Sequence, residues 1–232
     1  MTEVKYTKEI VCMAISRKIG GWCIAGKEIS ESICGDWIRP ISARPHEEIS
    51  DEDQRYKDGS LPKLLDIISI PMIEPRPVFH QQENHLIHDR YYWKKEAIFP
   101  FSSLEKALDN ITGPLWVNGY SGTYGINDRV PEATAKQMKS SLSLIRPESF
   151  ELYVETEGAD YGTPRKKVRG LFEFNGQKYK LAVTDRFIEK EFLKRKEGHY
   201  NMAGQASCIL CVSLGEIYDG YGYKLIASII GP

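Results

Sequence analysis

The dipeptide Asn175-Gly176 lies between two runs that alternate apolar and polar residues, 167–174 and 177–184. Asn-Gly readily takes positive φ at both central positions of a two-residue turn, so this pattern predicts an antiparallel hairpin. A lone hairpin is marginally stable in water, so further strands must cover it. The runs 142–147 and 150–154 precede it, and 208–214 and 223–230 follow. Between them Asp185 is placed to cap a helix over 186–196 that gathers Phe187, Ile188, Glu191 and Phe192. Strand, hairpin, helix and two strands is an order compatible with a five-stranded OB barrel. A β-sandwich remains open at this point.

The first half repeats the theme with weaker punctuation. Residues 10–16 are apolar and end in the turn Arg17-Lys18-Ile19-Gly20-Gly21, residues 22–29 alternate, and 35–41 reads as a third strand whose Pro40 suits a strand end or edge. Residues 43–63 are polar and acidic, a loop or short exposed helix. A strand over 64–70 precedes Pro71, Pro75 and Pro77, which predict an edge, and 81–87 begins another short strand. Ser102 to Leu108 carries a cap residue and helix-period apolar positions. The turn-rich segment 118–131 reads as the connection between two lobes. The expected organisation is a first barrel over 1–100, a connecting segment over 101–140 and a second barrel over 141–232.

The chain has 232 residues, 41% hydrophobic and 27% charged, enough for a buried core. Nineteen Gly, twelve Pro and thirteen Tyr suit a turn-rich β protein. No run approaches the roughly 20 apolar residues of a membrane span, and the opening residues lack the features of a signal peptide. Five cysteines leave at least one unpaired within the chain, which fits a reducing cytoplasm. The net charge of −1 offers no global attraction to a polyanion, so a nucleic-acid site must be a local patch.

Such patches exist. Arg17-Lys18 lies beside Trp22 at the first hairpin, Trp37 and Arg39 share a strand, Lys194-Arg195-Lys196 is followed by His199 and Tyr200, and Arg165, Lys166, Lys167 and Arg169 run into a strand that carries Phe172. Single-strand binders combine cationic side chains with aromatic platforms; solvated charged faces are the alternative for each cluster. Arg129 sits with Asn127 and Asp128 in a glycine-rich loop, where functional residues concentrate. No GxSxG, HExxH or P-loop is present, so no catalytic residue is assigned. Cys208-x2-Cys211 lies in an apolar run that reads as core, His80, His85 and His88 are unevenly spaced, and neither metal nor cofactor is expected.

Several strings resemble the prokaryotic dual OB-containing domain family: residues 10–18, 23–28 and 37–42 at the start, Leu64-Leu65-Asp66-Ile67, Gln82-Glu83-Asn84, Gly125-Ile126-Asn127-Asp128-Arg129-Val130, and 211–216 with 223–227 at the end. The resemblance implies a mainly β chain of two consecutive OB-like barrels with a few short helices. It also implies nucleic-acid binding beside an effector enzyme in a bacterial defence or mobile-element setting. It brings no catalytic residues. The expected function is therefore a module binding single-stranded or structured DNA or RNA through Arg17, Lys18, Trp37, Arg39, Arg129, Arg165, Lys166, Lys167 and Arg169. A protein adaptor and a nucleic-acid-processing enzyme are the competing readings, the latter with Asp128, Arg129 and His85.

Overall fold

Asn175 and Gly176 both take positive φ, 50° and 64°, and Phe174 pairs with Gln177 across the turn. The hairpin is in the register that the dipeptide dictates. The computed structural model describes residues 4–31, 33–201 and 208–231. The chain divides into two compact units: Met1–Leu108 with Lys139–Ser141, and Asp109–Met138 with Leu142–Pro232. Of the segment expected to connect two lobes, 109–138 thus belongs to the second unit, and 101–108 and 139–140 to the first, which also takes residue 141.

The first unit contains β1 (Tyr6–Lys18), β2 (Gly21–Ser30), β3 (Ile33–Ile41), α1 (Asp51–Gln54), β4 (Asp66–Pro75), β5 (Asn84–Ile87), β6 (Lys94–Ile98) and a 3₁₀ turn at Phe101–Ala107. Its strands run in the order β1-β2-β3-β5-β4-β6, with β1 also paired to β4. That second pairing closes the sheet into a barrel: Tyr6 to Val11 bond β4 while Ile10 to Lys18 bond β2. A bulge between Cys12 and Ala14 supplies the local bend. Gly26 permits the close crossing, since a Cβ there would lie 2.2 Å from the Val11 carbonyl oxygen. The interior holds Ile10, Cys12, Ile15, Ile24, Ile38, Ile68, Ile70 and Trp93.

The prolines of this unit correct the edge-strand expectation. Pro71 lies inside β4, which has β1 along one side and β6 then β5 along the other. The β6 ladder ends at Ser69 and the β5 ladder begins at Met72. Pro71 falls in the hand-over, where its missing N–H is not called upon by either ladder.

The second unit contains β7 (Arg129–Pro131), α2 (Glu132–Ala135), β8 (Leu142–Ile145), β9 (Ser149–Glu157), β10 (Arg165–Phe174), β11 (Gln177–Val183), α3 (Arg186–Phe192), β12 (Gly198–Asn201), β13 (Ile209–Tyr218) and β14 (Tyr221–Ile230). The order is β12-β9-β10-β11-β14-β13-β8, with β7 on β14. Only Arg146-Pro147-Glu148 separates β8 at one end of this path from β9, so the chain itself brings the sheet round. Here a proline break does the work that a bulge does in β1.

Both units pair their third and fifth barrel strands in parallel, β3 with β5 and β11 with β14, and both place a helix between the third and fourth. The fold is mainly β, two OB-like barrels. Phe150, Leu152, Val168, Phe172, Tyr179, Leu181, Leu210 and Ile226 fill the second core, with Phe172 stacked on Tyr179 at 5.1 Å. Cys208 is part of this core, and burial pushes its thiol up to about 11. Among the described residues no helix is long and apolar enough to cross a membrane.

Candidate nucleic-acid interface

Strand period two decides which side chains share a face. On β10 the core takes Val168, Phe172 and Phe174, so Arg165, Lys167, Arg169, Leu171 and Glu173 point outward. The ladders extend that face across Glu151, Tyr153, Glu155 and Glu157 of β9, Lys178 and Lys180 of β11, and His199 of β12. This is the outer side of the first three barrel strands, where OB folds present their binding surface.

Part of the charge there is internally matched. Arg169 is buried at 8% exposure; its Nε and Nη2 donate to the two carboxylate oxygens of Glu157 at 2.6 and 3.1 Å. Lys180 donates to Glu155 at 2.8 Å, and His199 Nε2 lies 3.0 Å from Glu151. Among the described residues Arg165, Lys167 and Lys178 have no such carboxylate partner. Arg165 and Lys178 are exposed and Lys167 half-exposed. Beside them Tyr153 and His199 stack, centroids 4.9 Å apart and planes 15° apart. The Tyr153 hydroxyl donates to Glu151 at 3.1 Å. Lys166 differs from its neighbours, since its ammonium donates to the Arg195 carbonyl.

The glycine-rich loop borders the same face. It is stitched to β11 by two backbone bonds between Ile126 and Lys180, at 3.1 and 3.0 Å, and to β14 by the Lys224 N–H donating to the Asp128 carbonyl at 2.9 Å. Asn127, at φ 51°, accepts from Gly119 N–H at 2.8 Å and donates to the Lys178 carbonyl at 3.0 Å. The Asp128 carboxylate is buried and accepts from Gly122 N–H at 2.6 Å. A Cβ on Gly125 would sit 1.9 Å from Asp128 Oδ2, so the loop can wrap this carboxylate only with glycine there.

Around the loop lies a cavity of about 150 Å³ lined by residues including Tyr124, Asp128, Arg129, Arg169 and Tyr223. The Arg129 guanidinium lies 5.3 and 5.2 Å from the ring centroids of Tyr221 and Tyr223. Lys224 turns its buried ammonium inward to Val117 O at 2.7 Å and Asn118 Oδ1 at 3.0 Å. Burial lowers it to about 7, against the pull of Asp128.

The four residues singled out in the first unit have different surroundings. Arg17 is exposed and Lys18 partly so, with Arg17 opposite Trp22, whose indole N–H donates to Asp51 at 2.8 Å. Trp37 is buried under the Lys27 ammonium, 5.4 Å from its ring centroid. Arg39 is 3% exposed. It pairs with Glu83 at 3.2 Å and donates to Ser141 at 2.7 Å. A polyanion cannot reach a guanidinium so enclosed, and neither Trp37 nor Arg39 contributes to an accessible surface. His85 is held by Tyr6, whose hydroxyl lies 2.7 Å from Nδ1.

Tyr153, Lys178 and Lys180 escaped the sequence reading. For the two lysines the signal was present: the Asn-Gly turn sets Glu173 opposite Lys178, and counting by two from there puts both on the Arg165 face, whereas Tyr153 joins it only through the register of β9 on β10. The stack on His199 had no such signal, because it depends on the pairing of β12 with β9.

No curated protein and no solved structure matches the chain. The model of the dual OB-containing domain matches residues 8–229, a span that takes in both barrels. OB barrels are general binding modules for oligonucleotides and other oligomers, and the chain belongs to the dual OB-containing domain family.

Proposed function

We propose that the protein binds single-stranded nucleic acid across the outer face of β9, β10 and β11. The supporting observation is the juxtaposition on one face of three cations without carboxylate partners, Arg165, Lys167 and Lys178, with the Tyr153–His199 stack. Phosphates meet the cations and a base continues the stack, a contact that contributes about 1–3 kcal/mol per base. Glu157 and Glu155 neutralise the remaining cations, Arg169 and Lys180, so binding is local and salt-sensitive. In this reading exposed Arg17 is a separate candidate contact on the first barrel, and the setting is that of a recognition module beside an effector enzyme in a bacterial defence or mobile-element system. Titration of labelled single-stranded DNA and RNA at about 50 and 200 mM salt tests the reading: affinity falls steeply between the two. Absence of binding at the lower concentration refutes it.

A further inference from the structure

The cavity beside the glycine-rich loop holds a feature that strand binding on the open face does not use. Arg129 Nε is buried without a hydrogen-bond partner, and among the described residues no carboxylate pairs with this guanidinium. A Cβ on Gly122 would lie 3.2 Å from both Nε and Nη2, so the guanidinium packs against bare backbone on that side and on tyrosine rings elsewhere. A buried N–H donor with no acceptor is costly unless an anion completes it. Arg169 lines the same cavity, with Nη1 3.8 Å from Asp128 Oδ2.

We propose that this cavity holds a single phosphate monoester group, gripped by Arg129 and Arg169. Its volume of about 150 Å³ is half the roughly 300 Å³ at which pockets begin to enclose a drug-sized ligand, so it admits a charged group and not a nucleoside. The planar fork of Arg129 matches two oxygens of a tetrahedral oxyanion, and Arg169, whose Nε and Nη2 are held by Glu157, adds Nη1. Asp128 selects among anions. Its carboxylate also lines the cavity and repels a fully ionised guest. A phosphate monoester, whose second ionisation lies near pH 6, can retain one proton and donate it to Asp128. An internal phosphodiester has no such proton, and a carboxylate has lost its own at neutral pH. The group is therefore free phosphate or the phosphorylated end of a strand; the second source rests on the reading of the open face as a strand-binding surface.

The test has two arms on the whole chain. In the first, inorganic phosphate is titrated calorimetrically against a chloride control of equal ionic strength. In the second, oligonucleotides with 5′-phosphate, 3′-phosphate or only hydroxyl ends are compared. One phosphorylated form is expected to bind at least tenfold more tightly than the hydroxyl-ended strand. Millimolar phosphate should erase that preference, and Arg129→Gln should abolish both effects. Phosphate heat without any oligonucleotide binding supports the cavity while refuting the strand-binding reading. Phosphate heat with no preference among strands assigns the cavity to free phosphate. No phosphate heat together with equal affinities for all strand ends overturns the proposal, as does a preference that persists in folded Arg129→Gln. The wild-type arms decide the matter should that variant fail to fold.

Discussion

His199 lies flat against Tyr153 on the outer face of the second barrel, with its Nε2 3.0 Å from Glu151, the carboxylate that also accepts the Tyr153 hydroxyl. Two residues 46 positions apart thus form one aromatic step, oriented by a shared acceptor. Tyr153→Ala should weaken single-strand binding by about 1–3 kcal/mol, the range for one stacked base. Tyr153→Phe, which keeps the ring, should change it little. Anisotropy titrations of both variants, with melting curves alongside, separate stacking from folding.

Gly125→Ala should disturb the loop around Asp128, because the new methyl would lie 1.9 Å from Oδ2 and 2.0 Å from Cγ. The expected loss of stability is about 1–3 kcal/mol, the usual range for overpacking. It is read by denaturant melts and accompanied by faster hydrogen exchange of the Gly122 N–H.

Asp185 joins the start of α3 to β14. One carboxylate oxygen accepts from Phe187 and Ile188 N–H, each at 2.9 Å, and the other from Ile229 N–H at 3.0 Å. Asp185→Ala removes the cap and leaves the Ile229 N–H buried without a partner, an expected loss of about 2–3 kcal/mol. Burial raises this carboxyl above its ordinary range, so relief of desolvation offsets part of the loss. Asp185→Asn retains an acceptor for the cap and should lie between the two in chemical denaturation.

Lys224 gives a pH signature. Burial lowers its ammonium from 10.5 to about 7, while in the unfolded chain it titrates normally. Between those values the unfolded state binds the extra proton, so the Lys224 contribution to stability rises with pH over that window and is flat below it. The neutral amine still has two N–H groups for Val117 O and Asn118 Oδ1. From pH 7 to 9 the gain should be roughly 2 kcal/mol, and Lys224→Met should remove it. Thermal melts of both proteins at the two pH values make the comparison.

The second barrel was legible because its signals are local. Asn175-Gly176 fixes both turn and register, and Asp185 marks a helix start, although the helix stops at Phe192, short of the expected Lys196. The first barrel was less so. Its closure depends on β1 serving two neighbours through a bulge and on Gly26 fitting under Val11, neither of which has a periodic trace. The prolines of β4 misdirect for the same reason: a ladder hand-over is a property of three strands together. β6 is exposed along its whole length and offers no apolar pattern. At the site, charge type was readable and charge partners were not. Arg165 and Arg169 share one face in sequence logic, yet Glu157, twelve residues before Arg169 along the chain, folds back on that residue and leaves Arg165 to solvent. Arg39 shows the limit most plainly, because a strand arginine beside tryptophan looks the same whether it faces a ligand or Glu83.

The most direct test of the strand-binding account is the salt dependence of single-stranded DNA and RNA binding by the wild type and by the variant carrying Arg165→Gln, Lys167→Gln and Lys178→Gln. Each phosphate contact contributes about 0.7 to the slope of log affinity against log salt for single strands. The wild-type slope should therefore exceed the variant's by about 2, with the variant weaker at every concentration and equally stable. Identical slopes and affinities for the two proteins would contradict the assignment of this face.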